Sequence, residues 1–395
     1  MLNTTIAHAS VVSSQGLAWA QRLVRFNTVS RESNLPLIEC IADHLRSLGV
    51  PLRLTFDDTR RKANLFATLG EGKPGGVILS GHTDTVPWDG QAWTTDPLGA
   101  AVQDGKLYGR GSADMKGFIA LVVARTEAFL AADLPHALHY AFSYDEEVGC
   151  FGAVALLKDL QDAGLPPQAW PRTCIVGEPT SMVPAIAHKG VFRWRCCVKG
   201  RAAHSSQTHI SVNAIEAASR VVAGIADMAD GWRRDGPHHP GFEVPCTTAA
   251  VGVIEGGIAD NVVPEDCRFH YEFRNIPGSD ASAMQRAVEA RAASLLPAMH
   301  AVDPTTGFRF EPLAGVPAFQ ADPADPAVQL AQRLAGNTQT TLVGFGTEAG
   351  LFQRAGISSV VCGPGSIDQA HQADEFVSLA QLAHCEGFLQ ALAGR

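Results

Sequence analysis

The chain lacks the features of secreted and membrane-spanning proteins. Its nine cysteines are odd in number, are scattered and form no CxxC pair, which indicates reduced core thiols and no disulfide framework. It has no uncharged apolar run of about 18 residues, and its first basic residue is Arg22, so we expect neither a membrane span nor a signal peptide. These absences predict a cytoplasmic protein with no membrane partner.

Positive charge is also in deficit. The chain has 31 Lys and Arg against 40 Asp and Glu, a net charge of −9, which argues against a nucleic acid or an anionic membrane bound through bulk charge. Hydrophobic residues make up 46% of the chain and charged residues 18%, so there is enough apolar material for a packed core. A small molecule is therefore the expected partner.

Motifs of three common enzyme classes are missing. The sequence has no G-x-S-x-G motif, and Gly105-Lys106 continues with Leu107 where a phosphate-binding loop needs Ser or Thr. Residues 109–114 are similar to a dinucleotide-binding fingerprint, but Asp114 stands where the third glycine belongs. Neither a nucleophilic serine nor a bound nucleotide is indicated.

The length and the order of predicted elements favour two structural units. At 395 residues the chain is longer than one hydrophobic core usually supports. Helical and strand patterns alternate in the first third, which predicts an α/β sheet with functional residues at the carboxyl ends of its strands. From about Ala187 the pattern becomes β-α-β-β-α, typical of a small α+β unit. We predict a catalytic domain of residues 1–186 and 306–395, interrupted by an inserted domain of residues 187–305.

The periodicity of apolar residues predicts the individual elements. Strands are expected at residues 77–79, 106–108, 137–144, 174–176, 191–199, 247–254, 266–274 and 359–362. Helices are expected at residues 33–48, 115–130, 152–160, 213–228, 279–296 and 330–335.

Polar residues follow the first buried strands. His82 and Asp84 lie two residues apart at a strand end, so their side chains share one face. This arrangement suits an imidazole that binds a metal beside a carboxylate that orients the ring, although such pairs are also common as ordinary polar groups. Asp114 directly precedes a predicted helix, where it either caps the helix or bridges metal ions.

The acidic stretch of Asp145, Glu146 and Glu147 follows another apolar strand. Either these acids form a solvent-exposed run of charge, or two adjacent acids have separate roles, in which one binds a metal and its neighbour transfers a proton. Five candidate ligands fall at predicted strand or turn ends: His82, Asp114, Glu147, Glu178 and His371. Two imidazoles with three carboxylates suit zinc, cobalt or manganese more than magnesium or calcium.

Several motifs resemble the dinuclear zinc amidohydrolases, a family that includes acetylornithine deacetylase, succinyl-diaminopimelate desuccinylase, aminoacylases and glutamate carboxypeptidase. The matching motifs are HTD at residues 82–84, GRGSADMKG at 109–117, DEE at 145–147 and AHQ at 370–372. Further stretches resemble the acetylornithine deacetylase branch: residues 147–150, 177–180, 273–278, 347–349 and 363–367. The resemblance covers nearly the whole chain, from Ser33 to Phe376.

The resemblance implies a fold and a ligand set. The α/β catalytic domain would be zinc-exopeptidase-like, interrupted by a smaller, ferredoxin-like α+β domain that acts as a lid and mediates dimerisation. Two divalent ions per chain, zinc or alternatively cobalt, are expected. Asp114 would bridge both ions, Glu147 and His371 would complete one site, and His82 and Glu178 would complete the other.

The resemblance also implies catalytic and substrate-binding residues. Glu146 would be the general base, Asp84 the carboxylate that supports a ligand, and His204 a histidine donated by the inserted domain. His204 either acts across a homodimer or packs within its own domain. Three positions match substrate-binding positions of the family: Asn261, Arg274 and Gly363.

The expected reaction is hydrolysis of an N-acyl amide on an α-amino acid, most specifically N2-acetyl-L-ornithine to L-ornithine and acetate in arginine biosynthesis. The alternatives are succinyl-diaminopimelate, aminoacylase or glutamate carboxypeptidase substrates at the same site and, more remotely, a catalytically silent homologue. Glu348 either pairs with the ornithine ammonium or is a structural hydrogen-bonding acid.

Overall fold

The computed structural model describes residues 11–132, 134–164 and 170–394, and the chain divides into two compact units. The first unit comprises the chain up to Ala187, Phe319–Leu342 and the chain from Thr347 onward. The second comprises His188–Ala318 and Val343–Gly346. Among the described helices, none combines the length and the apolar character that crossing a membrane requires.

Strands provide the framework of both units. In chain order they are β1 (Leu52–Phe56), β2 (Ala63–Leu69), β3 (Val77–His82), β4 (Val102–Gln103), β5 (Lys106–Tyr108), β6 (Leu138–Ser143), β7 (Thr173–Pro179), β8 (Ala185–His188), β9 (Gly190–Lys199), β10 (Thr248–Gly256), β11 (Asp266–Asn275), β12 (Gly307–Val316), β13 (Phe319–Gln320), β14 (Thr341–Val343), β15 (Ser358–Gly363) and β16 (Phe376–Ser378).

Helices connect the strands. In chain order they are α1 (Ser14–Val24), α2 (Leu35–Ser47), α3 (Gly117–Ala124), α4 (Thr126–Ala131), α5 (Phe151–Asp162), α6 (Ala214–Asp235), α7 (Ala281–Ala293), α8 (Leu296–His300), α9 (Pro326–Ala335), α10 (Ala349–Arg354) and α11 (Leu379–Leu392).

The first unit contains a large mixed sheet with the strand order β1-β2-β6-β3-β7-β15-β8-β13. Its four central strands, β6, β3, β7 and β15, run parallel. The register pairs His82 with Ser143 and Gly363 with Pro179, so neighbouring strands end close to level. The carboxyl ends of buried parallel strands are where α/β proteins build their sites, and the predicted candidates His82 and Glu178 lie there.

The predicted helix over residues 115–130 is wrong in its bounds. The backbone of Asp114 and Met115 is not helical, with φ/ψ of −124°/91° and −136°/35°, so α3 begins only at Gly117. Arg125 then separates α3 from α4. Every residue of α3 is buried, and a Cβ on Gly117 would lie 2.5 Å from the Ser112 carbonyl oxygen. A side chain there would therefore clash with the turn that carries Asp114.

The second unit is an antiparallel sheet in the order β10-β11-β9-β12, covered by α6 and α7. Alternate residues of β11 point into the core, as the period of two in a strand requires. The inward residues are Cys267, Phe269, Tyr271 and Phe273. From α6 and α7, the side chains of Val221, Ile225 and Val288 fill the same core.

The chain returns to the first unit later than predicted. The sequence pattern predicts the return at residue 306, but β12 pairs along its length with β9, so the first unit resumes at Phe319. The second unit therefore has the chain order β-α-β-β-α-β, which is that of ferredoxin-like folds. Its fourth strand is missing from the predicted pattern because β12 is only partly buried and does not alternate strictly.

Candidate metal centre

The predicted ligands converge around Asp114. Its Oδ1 lies 2.9 Å from His82 Nε2, and its Oδ2 lies 3.2 Å from His371 Nε2. Glu178 Oε1 is 3.6 Å from His82 Nε2, and Glu147 Oε2 is 3.2 Å from His371 Nε2. Each oxygen of the Asp114 carboxylate therefore faces a different imidazole, and each imidazole faces a further carboxylate.

The backbone explains why Asp114 is available to the cluster. A capping aspartate would direct its side chain to the first amides of the following helix, but no side chain caps α3. The carboxylate instead contacts the two imidazoles. The preceding turn passes through Gly111 at φ +81°, where an added Cβ would lie 2.7 Å from Thr85 Cγ2. A glycine is therefore required at this turn for both conformation and space.

Asp84 connects two strand ends beneath the cluster. Its buried carboxylate accepts hydrogen bonds from the amides of Glu146 at 3.0 Å and Glu147 at 3.3 Å, and from Ser30 Oγ at 2.7 Å. His82 Nδ1 lies 2.9 Å from the Asp84 carbonyl oxygen and 3.6 Å from its carboxylate. The backbone carbonyl is thus the closer partner that orients the imidazole, while the Asp84 carboxylate holds the acidic loop after β6.

The two histidines differ in exposure. The His82 side chain is 1% exposed at the end of β3, whereas the His371 side chain is 47% exposed. His371 also has φ +59°, a conformation that costs energy in a residue with a side chain. The His82 side of the cluster is therefore set by the sheet, and the His371 side by a surface loop.

The close packing of carboxylates shifts the pKa values of the residues in the cluster. Burial by itself would lower the pKa of His82, but Glu178 and Asp114 raise it well above its usual value. Hydrogen bonds to Asp114 and Glu147 raise the pKa of His371 to about 10. Burial and the charge of Asp114 raise the pKa of Glu147, and raise that of Glu178 further. Positive charge among these groups would relieve the repulsion between the carboxylates.

The donor set fits divalent cations. Ligand atoms of His82, Asp114 and Glu147 lie within 4.8 Å of one another, and so do those of His82, Glu146 and Glu178. Imidazole nitrogens mixed with carboxylate oxygens are the ligands that zinc and related ions accept. The structure therefore contains a candidate metal site.

Glu146 and Glu147 both lie within the candidate metal centre, beside different neighbours. Glu147 contacts His371, while Glu146 lies in the group around His82 and Glu178 and receives a contact from Cys150 Sγ at 3.4 Å. Burial, together with the charges of Glu147 and Asp84, raises the pKa of Glu146 well above its usual value. The assignment of Glu146 as base and Glu147 as ligand thus stays a prediction.

Glu348 is buried in the same unit, beneath the cluster. One carboxylate oxygen accepts a hydrogen bond from Ser80 Oγ at 2.9 Å, and the other accepts one from Ser143 Oγ. The residue is only 1% exposed. Since both oxygens are engaged by hydroxyls of β3 and β6, the geometry favours the structural interpretation over pairing with a substrate ammonium.

The remaining candidates belong to different units. Gly363 ends β15 in the first unit, and its amide donates to Thr180 Oγ1 at 3.3 Å. His204, Asn261 and Arg274 lie in the second unit. The Asn261 carbonyl accepts the Ser205 amide at 3.0 Å, which joins the loops of Asn261 and His204. Arg274 Nε donates to Glu272 at 2.9 Å.

Sequence reasoning missed the residues that surround the ligands. Ser80 and Ser143 have no motif of their own, and Gln91 lies in a loop without any chemical signal. Arg110 stands inside the GRGSADMKG stretch, and Glu375 lies three residues after the AHQ stretch. Their positions beside candidate ligands were the available clue.

Comparison with known proteins agrees with this geometry. The model of peptidase family M20/M25/M40 matches residues 78–395. The acetylornithine deacetylase of Pasteurella multocida (strain Pm70) is 34% identical over 374 residues, covering 92% of each chain.

Solved structures share the fold. An M20 family metallo-carboxypeptidase from Sulfolobus solfataricus has a TM-score of 0.74 at 13% identity, covering 97% of this chain and 100% of that one. A dinuclear metal-binding peptidase of the M20 family from Bacillus subtilis has a TM-score of 0.61 at 16% identity, covering 95% and 98%. The predicted α/β fold is thereby confirmed. The chain belongs to the M20/M25/M40 peptidase family and is a metal-dependent amidohydrolase.

Proposed function

We propose that this enzyme hydrolyses the N-acyl amide of an α-amino acid, specifically N2-acetyl-L-ornithine, and releases L-ornithine and acetate for arginine biosynthesis in the cytoplasm. The observation that carries the chemistry is the Asp114 carboxylate, whose two oxygens face the imidazoles of His82 and His371. The substrate is supported by the 34% identity with an acetylornithine deacetylase over most of both chains.

In this proposal the predicted ligands would hold two divalent ions, zinc or alternatively cobalt. Asp114 would belong to both ligand sets, with Glu147 and His371 completing one and His82 and Glu178 completing the other. Ions held there would supply Lewis acidity toward the acyl carbonyl and toward water.

Glu146 moves the proton in the proposed reaction. Its carboxylate takes a proton as the water oxygen attacks the acyl carbon, and it returns that proton to the nitrogen as the C–N bond breaks. The nitrogen therefore leaves as a neutral amine, and the second proton of the water stays on the acyl group, which leaves as acetic acid. The acid then gives its proton to the amine or to the solvent, so the final products are L-ornithine in its ammonium form and acetate. Asp84 supports this role because it holds the Glu146 amide at 3.0 Å.

His204 stabilises the oxyanion in the proposed reaction. Its Nδ1 accepts the Ser206 amide at 3.2 Å, which leaves the ring proton on Nε2 as a hydrogen-bond donor. We propose that the second unit mediates a homodimer and that His204 serves the site of the partner subunit. Arg274 would pair with the substrate α-carboxylate, and Asn261 and Gly363 would contact the rest of the substrate.

A substrate panel tests the proposal. Metal-reconstituted enzyme is assayed with N2-acetyl-L-ornithine, N-succinyl-LL-diaminopimelate, N-acetyl-L-methionine and a glutamyl dipeptide. We expect the highest kcat/KM with acetylornithine. A higher kcat/KM with another member would overturn the substrate, and no hydrolysis of any member by protein that contains about two ions per chain would overturn the activity.

A further inference from the structure

Two surface loops are fastened together beside His371. Gln91 Nε2 donates to the His371 carbonyl oxygen at 2.8 Å. The Asp374 carboxylate accepts the amides of Thr94 at 2.9 Å and Thr95 at 3.0 Å, together with both threonine hydroxyls. The loop that follows β3 therefore holds the loop that carries His371. One of these hydrogen bonds, from Gln91, reaches the backbone of His371 itself.

The Gln91 amide has a single orientation that satisfies its neighbours. Its oxygen accepts Arg110 Nη2 at 2.6 Å and Trp93 Nε1 at 3.0 Å. Both partners are donors, so the oxygen must face them and the NH₂ group must face the His371 carbonyl. Arg110 and Trp93 thus fix the orientation in which the Gln91 NH₂ group faces His371.

The same network reaches Asp114. Arg110 and Glu375 form an ion pair at 2.7 Å in which both side chains are 1% exposed. The other Glu375 oxygen accepts the amides of Ala113 at 3.0 Å and Asp114 at 3.1 Å. Arg110 therefore links the backbone of Asp114, through Glu375, to the backbone of His371, through Gln91.

His371 depends on such support more than the other ligands do. It is exposed, has positive φ and lies outside the sheet, so strand pairing does not hold it. Bonds from neighbouring residues orient metal ligands, and their loss typically weakens metal affinity about 10- to 100-fold.

We propose that Gln91, oriented by the Arg110–Glu375 pair, is a positioning residue that holds His371 against Asp114 and Glu147. It thereby sets the affinity for the ion that these three residues share. This inference rests on the proposed ligand set. The residue does not touch the substrate in this account, and it acts only through His371.

The test measures metal affinity in Gln91→Met and Gln91→Glu. Gln91→Met removes the donor without adding charge. Gln91→Glu keeps an acceptor for Arg110 and Trp93 but cannot donate to His371 in its ionised form, and its added negative charge would favour cation binding. Gln353→Met and Gln353→Glu are matched controls, since Gln353 also donates its amide to a distant backbone carbonyl, that of Gln320, at 2.6 Å.

Zinc dissociation constants are measured by competition with a chelator, alongside the Tm of the metal-free protein and activity as a function of zinc concentration. We expect one of the two zinc affinities to fall about 10- to 100-fold in both Gln91 variants. The Tm of metal-free Gln91→Glu should match that of its control, and kcat at saturating zinc should return to near the wild-type value. A purely structural role would not produce this recovery.

Three results would count against the inference. Zinc affinities within about twofold of wild type in both variants would overturn it, because losing a residue that orients a metal ligand typically weakens metal affinity about 10- to 100-fold. An equal loss of both zinc affinities, with a lowered Tm in metal-free Gln91→Glu, would show a general structural role instead. If wild-type protein itself binds no second ion, the proposed ligand set fails and the inference fails with it; this outcome is distinguished from the other two because it is seen without any variant.

Discussion

We predict that His139 makes the first unit less stable in mild acid. It lies on β6 with 4% of its surface exposed, its Nδ1 is 3.0 Å from Thr68 Oγ1 and its ring stacks on Phe66 with centroids 5.2 Å apart. Its Nε2 has no hydrogen-bond partner within the described part of the chain. A charged imidazole there would be poorly solvated, so burial lowers the pKa of His139 from 6.5 to about 4.

The size and sign of the effect follow from the two pKa values. Between pH 6.5 and about 4 the unfolded chain holds a proton on this residue that the folded chain lacks, so acid favours unfolding. Protonation of this residue costs no stability above pH 6.5, the cost grows as the pH falls from 6.5 to about 4, and it is constant at lower pH because both states are then protonated. The loss is about 2 kcal/mol at about pH 5 and approaches about 3 kcal/mol below pH 4.

Urea unfolding of metal-free His139→Gln and wild type, at about pH 7.5 and about pH 5, measures this loss. Comparing each protein with itself at the two pH values removes the constant cost of the substitution. We expect the wild type to lose about 2 kcal/mol more than His139→Gln. The exposed His136, three residues earlier, supplies the control His136→Gln, which should behave as wild type. Equal losses in wild type and His139→Gln would refute the reasoning.

Four further predictions concern the active site. Glu146→Gln should lower kcat about 100-fold or more at unchanged metal content, whereas Glu147→Gln should also lose metal affinity; elemental analysis with kinetics distinguishes them, and reversed phenotypes would exchange the roles. Chelation should abolish activity, and about two equivalents of zinc per chain should restore it; full activity in metal-free protein would contradict this. Glu348→Gln should keep the preference for acetylornithine over acetylnorvaline measured as kcat/KM, because its oxygens bond Ser80 and Ser143; a lost preference would assign it to specificity. Mixed His204→Ala and Glu146→Gln dimers, after subunit exchange, should recover about a quarter of wild-type activity if His204 acts across the dimer; no recovery would exclude that role.

Much of the fold could be predicted from local patterns. The apolar runs that become β3, β6, β7 and β15 are continuous because both faces of a central parallel strand are buried. Edge and partly exposed strands left weaker signals. For example, the residues of β1 and β12 do not alternate strictly, and the pairing of β12 with β9 joins segments that are distant in the chain.

The candidate ligands could also be predicted, because carboxyl ends of neighbouring parallel strands must meet at one edge of a sheet. His82 ends β3 and Glu178 lies in the last residues of β7, so their proximity follows from chain order and strand length. The DEE stretch follows β6 for the same reason. The candidate ligands could therefore be predicted from the types of residue at the strand ends.

Only the tertiary structure decided what surrounds those ligands. Before it, the two interpretations of Glu348 were equally supported, and the hydroxyls of Ser80 and Ser143 now favour one of them. Gln91 and His371 are 280 positions apart, and no periodicity or motif connects them. A hydrogen bond between two loops depends on where folding places each backbone, whereas the burial of a strand can be predicted from the apolar residues of that strand alone.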